Sequence, residues 1–334
     1  MKRLLAILMS AVVLLTLLCA CSVQKQEEAG SSLSAESTAQ TDEKSLSVVC
    51  SIFPQYDFCR EIMGKDANIE LLLKSKVDMH NYKPSAEDIL KIKNCDLFID
   101  IGGESDEWAK DVVASADNSK LSVLSLIDLV EAKEEETLEG MEEEDHEHDE
   151  DDEDEEHESE KDEHVWTSLK NAQIIVRAIS ERLCALDAQN SAEYKKNADS
   201  YIEKLAALEK QYAETVSTAK RNTLVFADRF PFRYLADDYS LECFAAFSGC
   251  SAETQASFET VAFLAEKVKD KNLPYVLVID GSDGSVAQTV ASQSGAKIMA
   301  LDSCQSVSEE EINEGKSYLS IMQENLEVLE EVLN

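Results

Sequence analysis

Positive charge is scarce in this chain: Lys and Arg number 31 against 68 Asp and Glu, a formal net charge of −37. That balance excludes nucleic acid as a partner, because contacts to phosphate need a basic surface. Histidine is rarer still, at five residues, four of which lie between 146 and 171. No CxxC pair occurs, nor any HExxH, GxSxG or Walker-type GxxxxGKS/T segment, so the usual zincin, serine-hydrolase and phosphate-loop signatures are missing. Of nine cysteines, seven remain once Cys19 and Cys21 are set aside, an odd number at irregular spacing. Such a set argues against a full disulfide framework. Cys243 and Cys250 are a candidate pair that the sequence leaves open. No internal repeat is apparent.

A membrane span is lacking at the N-terminus too. Lys2 and Arg3 precede an apolar run from Leu4 to Leu18, shorter than the ~20 residues that cross a bilayer. The small-residue region Leu18-Cys19-Ala20-Cys21 follows, and the whole reads as a secretory signal over 1–20. Cys21 directly after Ala20 resembles the lipobox of bacterial lipoproteins, whose mature chain begins on a lipid-bearing cysteine. Residues 21–45, rich in Ser, Glu and Thr without apolar periodicity, are expected to be a flexible tether. The mature protein is therefore expected to be exported and lipid-anchored to a membrane.

What remains, about 290 residues, suffices for two domains at ~100–200 residues each. Short apolar runs alternate with helical segments: 46–52, 69–73, 96–102 and 121–126 read as strands, then 223–227, 241–247, 274–280 and 296–302. Strands alternating with helices imply parallel sheets in an α/β architecture. The two sets are separated by 191–220, free of Gly and Pro, with Tyr194, Ala198, Tyr201, Leu205, Leu208, Tyr212 and Val216 forming a helical stripe. The predicted fold is two similar α/β lobes, 46–190 and 221–334, joined by one long rigid helix over 191–220. Residues 131–163 carry 22 acids and two lysines, net −20, and read as a disordered acidic, His-bearing insert in the first lobe.

Each histidine differs in its surroundings. His80 stands in KVDMHNYKPSAED, where Ser85 and Asp88 form a capping pair that starts a helix. It thus lies on a loop at the end of a parallel strand, where ligands of open α/β sheets gather. His164 stands in DEHVWTSLKNA, where the charge falls away and an apolar helix begins, with Val165 and Trp166 able to bury beside it. His146, His148 and His157 have no such neighbours. Asp228 follows the strand TLVFA and Asp302 follows AKIMAL; a helix-cap or turn role is the alternative for each. Two imidazoles and two carboxylates at strand ends suit Zn(II) or Mn(II).

His80 with NYKPSAED, His164 with VWTSLKNA, the long helix, YLADDYSL, and LDSCQSV before SYLSIMQENLEVL together resemble the zinc/manganese substrate-binding lipoproteins of bacterial metal ABC importers. The resemblance runs in family order over nearly all of the mature chain. It implies a two-lobed protein that holds a divalent metal between its lobes and delivers it to a membrane permease from the outer face of the cytoplasmic membrane. It implies a monomer and no enzymatic activity. His80 and His164 match the ligands of the first lobe, and Asp302 the last ligand loop. At the third ligand position, where zinc members have His and manganese members often Glu, this sequence departs. Asp228 is the candidate there, with Glu253 and Asp280 as alternatives. The acidic segment occupies the place of the mobile His-rich loop of zinc members, which implies weak metal collection by His146, His148 and His157 and favours zinc over manganese. A manganese importer component and a metal-binding surface adhesin are the competing readings.

Overall fold

The computed structural model describes residues 45–74, 78–142, 161–251 and 255–334. Cys21, the signal and most of the tether, His146, His148, His157 and Glu253 lie outside the described residues. Strands β1 (Ser47–Cys50), β2 (Asn68–Leu71), β3 (Leu97–Asp100) and β4 (Ser122–Ser125) form one four-stranded sheet in the order β2-β1-β3-β4. Strands β5 (Thr223–Arg229), β6 (Glu242–Phe247), β7 (Tyr275–Ile279) and β8 (Lys297–Leu301) form a second, ordered β6-β5-β7-β8. Every pairing in both sheets is parallel. The helices are α1 (Phe53–Met63), α2 (Ala86–Asn94), α3 (Glu107–Ala114), α4 (Leu169–Leu186), α5 (Ser191–Thr218), α6 (Arg233–Tyr239), α7 (Phe258–Asp270), α8 (Ser285–Ser294), α9 (Glu309–Glu314) and α10 (Tyr318–Leu333). No described helix is long and apolar enough to cross a membrane.

The sequence explains these elements locally. Central strands β1 and β3 are apolar at successive positions, and Val48, Val49, Leu97, Phe98 and Ile99 are buried on both faces, as parallel sheets covered by helices require. Ser85 caps α2 in a reciprocal box with Asp88. Helix α5 runs 28 residues, about 42 Å at ~1.5 Å per residue. It buries Tyr194, Ala198, Tyr201, Leu205, Leu208 and Tyr212, the stripe read from the sequence. Its packing against α1, α4 and α10 makes one core that reaches both sheets. Bonds that cross between the halves reinforce it: Tyr318 N–H donates to Asp57 (2.8 Å), Tyr318 Oη to the Trp166 carbonyl (2.6 Å), and Trp166 Nε1 to the Ser303 carbonyl (2.7 Å).

The acidic segment requires a correction. Read as disordered throughout 131–163, it is ordered at both described ends. Met141 is buried in the main core, Glu134 pairs with Lys161 in an antiparallel bridge, and Glu142 N–H donates to the Ala246 carbonyl. Leu138 and Met141 supply apolar contacts, and ion pairs of both polarities tie the segment to the second half. Lys133 pairs with Asp237 (2.8 Å), Arg233 with Glu136, and Lys267 with Glu139 (3.2 Å). Residues 131–142 thus form a strap across the second lobe. The two cysteines left open, Cys243 and Cys250, are both free thiols.

Candidate metal centre

Both sheets reverse their winding at one point, between β1 and β3 in the first and between β5 and β7 in the second. Loops at the carboxyl ends of the strands meet beside these points, where α/β folds place ligands. His80 sits in a single 3₁₀ turn, Met79–Asn81, whose N-terminal residue Asp78 accepts the His80 N–H at 3.0 Å. His164 repeats the device: Asp162 accepts its N–H at 2.8 Å. An Asp two residues ahead of each ligand candidate therefore shapes both turns. This Asp-x-His pattern was present in the sequence and marks the two histidines apart from the acidic tract.

The rings of His80 and His164 face each other with Nε2 to Nε2 at 3.4 Å. Two zinc–nitrogen bonds of ~2.05 Å at a tetrahedral angle separate their nitrogens by about 3.3 Å. The opposite ring nitrogens are held. His80 Nδ1 contacts Ser105 Oγ at 2.7 Å, and His164 Nδ1 contacts Asp162 Oδ1 at 3.1 Å. A carboxylate only accepts, so His164 Nδ1 carries the proton and neutral His164 presents a lone pair at Nε2. His164 is 1% exposed and packs against Trp166. Gly249 lies against its ring so closely that a Cβ there would come 3.2 Å from Cε1.

The electrostatics divide the pair. Burial above all, then the neighbouring His164, pulls His80 down to about 3, with Arg229 adding and Asp78 opposing. Burial also pulls on His164, but the Asp162 hydrogen bond and charge, with Glu163 and Glu135, outweigh it and hold His164 above its ordinary value. A metal-free pair thus takes up its first proton on His164, and a cation competes with that proton.

Two residues that the sequence reading passed over stand beside the pair. One ligand atom each of His80, Glu163 and Cys250 lies within 4.8 Å of the others. Glu163 is 1% exposed; one carboxylate oxygen accepts the Ser105 N–H at 2.8 Å while Oε2 has no partner. An added Cβ on Gly103 would collide with the Glu163 side chain, so glycine there makes room for it.

The acids expected to complete the ligand set lie elsewhere. Asp228 does not join the histidines: its carboxylate accepts the Arg229 N–H (2.8 Å) and the Ile279 N–H (3.2 Å), tying β5 to β7. Strand β5 continues two residues past TLVFA, and its register against β6 shifts between Phe226 and Arg229. Such an extra residue re-aims the side chains that follow it. Arg229 emerges toward the His80 loop and pairs with Asp78. Asp302 accepts the Cys304 N–H at 2.8 Å and faces Lys316 Nζ at 3.6 Å. Asp228, Asp280 and Asp302 together line an adjoining cavity of about 300 Å³, with Asp78 and Arg229 on its wall. Neither histidine lines that cavity.

Two α/β lobes wound about a long helix, with a half-buried and a buried imidazole converging where their loops meet, define a two-lobed solute-binding protein. The sequence profile of the zinc-uptake complex component A family, periplasmic, matches residues 48–332, and the chain belongs to that family. It is 32% identical over 292 residues to the zinc-binding lipoprotein AdcA of Streptococcus pneumoniae, covering 87% of this chain and 56% of that one, so it spans little more than half of that relative. It is 30% identical over 300 residues to the high-affinity zinc uptake system protein ZnuA of Bacillus subtilis, covering 90% and 91% of the two chains. The crystal structure of the Zn(II)-bound ZnuA-like domain of S. pneumoniae AdcA superposes with a TM-score of 0.69 at 29% identity, over 87% of this chain and 99% of that domain.

Proposed function

We propose that this protein captures a divalent transition metal, zinc in preference to manganese, at His80 and His164 and delivers it to the permease of an ABC importer. The observation that carries the reading is the pair of Nε2 atoms 3.4 Å apart with both Nδ1 atoms held from behind. Hydrogen bonds at the far nitrogen fix ring orientation and raise ligand basicity, the arrangement found behind metal-bound histidines. Zinc is the metal carried by the names of the relatives in S. pneumoniae and B. subtilis. Export and a lipid on Cys21 fit the role, because a tethered binder keeps its cargo near a membrane permease. A monomer suffices, and the site calls for binding alone, with no reaction. The acidic tract then gathers cations near the site, since clustered negative charge raises their local concentration.

Titration of the metal-free protein with zinc, in competition with a chromogenic chelator, tests the reading. One tight site is expected, lost in both His80→Ala and His164→Ala. Tight binding that survives both substitutions would overturn it.

A further inference from the structure

Three donor types converge at His80, one of the two facing histidines, and they come from three separate segments. His80 follows β2, Glu163 precedes the turn into α4, and Cys250 follows β6, yet one ligand atom of each lies within 4.8 Å of the other two. The approach of Cys250 has a local cause. Gly249, with no side chain, lets the loop after β6 press against the His164 ring, and the next residue is the cysteine. The strap of the first lobe fixes this loop: Cys250 N–H donates to Glu135 Oε1 at 2.9 Å. Independently of the thiol, Glu163 points to a cation, because its buried Oε2 has no donor. An uncompensated buried carboxylate oxygen is costly, and a metal ion is a partner that would satisfy it.

We infer that Cys250 supplies a thiolate ligand, and Glu163 a carboxylate ligand, to the ion held by His80 and His164. This rests on the metal-capture reading above and specifies its ligand set as two nitrogens, one sulfur and one oxygen. On binding, a metal–sulfur bond forms and the thiol proton leaves to solvent; thiolate and carboxylate then neutralise the dication. Four protein donors close a tetrahedral site of the kind zinc accepts. The sulfur sets the cargo class: soft thiolate favours zinc and its thiophilic relatives, whereas manganese prefers oxygen donors. It also makes capture sensitive to oxidants, since a sulfur converted to a sulfenic acid is no longer a thiolate ligand.

Cobalt(II) reports the sulfur directly, because a thiolate–cobalt bond gives an intense near-ultraviolet charge-transfer band that imidazole and carboxylate do not. The full chain, kept reduced, is expected to show this band at one equivalent of cobalt, and C250S to lose it. C250S should also bind zinc at least ~10-fold more weakly while its manganese affinity moves less than about threefold, as loss of a soft donor requires. If C250S fails to fold, zinc-loaded wild type supplies the second measurement: zinc should protect the Cys250 peptide from iodoacetamide. Cobalt bound by wild type without the band, or alkylation of Cys250 unchanged by zinc, would overturn the thiolate ligand and leave the histidine site standing. Failure of wild type to bind zinc or cobalt at all would overturn the metal-capture reading, and the thiolate with it.

Discussion

Asp162 touches no proposed metal ion, yet replacing it should damage the site in two separable ways. Its Oδ1 accepts both the His164 backbone N–H at 2.8 Å and the ring Nδ1 at 3.1 Å, and the residue is 3% exposed. Asp162→Ala strands a buried N–H, which should lower the stability of the metal-free protein by about 1–3 kcal/mol. It also frees the His164 ring to rotate and removes the charge that raises its basicity, which should weaken zinc binding ~10–100-fold. Asp162→Asn separates the two effects. The amide oxygen can still accept the backbone N–H, so most stability should return, while the ring loses its charged partner. Without that charge the proton on His164 should leave at lower pH, so the acid onset of zinc release should shift downward in Asp162→Asn. Chelator competition between pH 5 and 8, with urea unfolding of the metal-free proteins, reads both. Wild-type zinc affinity in Asp162→Ala would refute the claim that the turn before His164 prepares it as a ligand.

Asp228→Ala should leave zinc affinity within about threefold and cost ~1–2 kcal/mol of stability, because the carboxylate accepts two backbone N–H groups; a loss of zinc affinity like that of His80→Ala would restore it as a ligand. Replacing residues 143–160 by a short Gly–Ser linker should keep the tight zinc site while fewer weakly held ions are counted by equilibrium dialysis. A cut wide enough to remove Met141 and Asp162 should destabilise the protein and weaken the site. Burial at the end of β3, with Asp106 and Asp128 adding and Ser125 opposing, pushes the Asp100 carboxyl up to about 7. Its favourable contribution is complete below its unfolded value near 4 and is lost as pH rises through about 7. Asp100→Asn should therefore match wild type least well at pH 8, where it should be the more stable in urea unfolding.

Much of the architecture was legible because it rests on period and run length. Each of the eight strands coincides with a short apolar run, and the buried side of α5 is the stripe from Tyr194 to Tyr212. Ser85 and Asp88 cap α2 as their spacing indicates. His164 was separable from the tract histidines because Val165 and Trp166, both fully buried, follow it. The ligand environment was less legible, for three-dimensional reasons. Nothing in Phe247-Ser248-Gly249-Cys250 announces that a missing Cβ will bring that loop onto a histidine 85 positions earlier in the chain. Asp228 was read as following a strand that ends at Ala227, whereas pairing continues to Arg229 across a register shift. The strap at 131–142 was hidden by its charge: Glu136 and Glu139, which read as solvated in isolation, are neutralised by Arg233 and Lys267, and the strap's own Lys133 reaches Asp237, only once the halves meet.

The central claim is that the ion sits between the two imidazoles and not among the carboxylates of the neighbouring cavity. Crystals grown from metal-free protein and soaked in zinc, with anomalous difference density recorded on both sides of the zinc edge, address it directly. The account expects one strong peak within bonding distance of His80 Nε2 and His164 Nε2. A peak in the cavity lined by Asp228, Asp280 and Asp302, with none at the histidines, would contradict it.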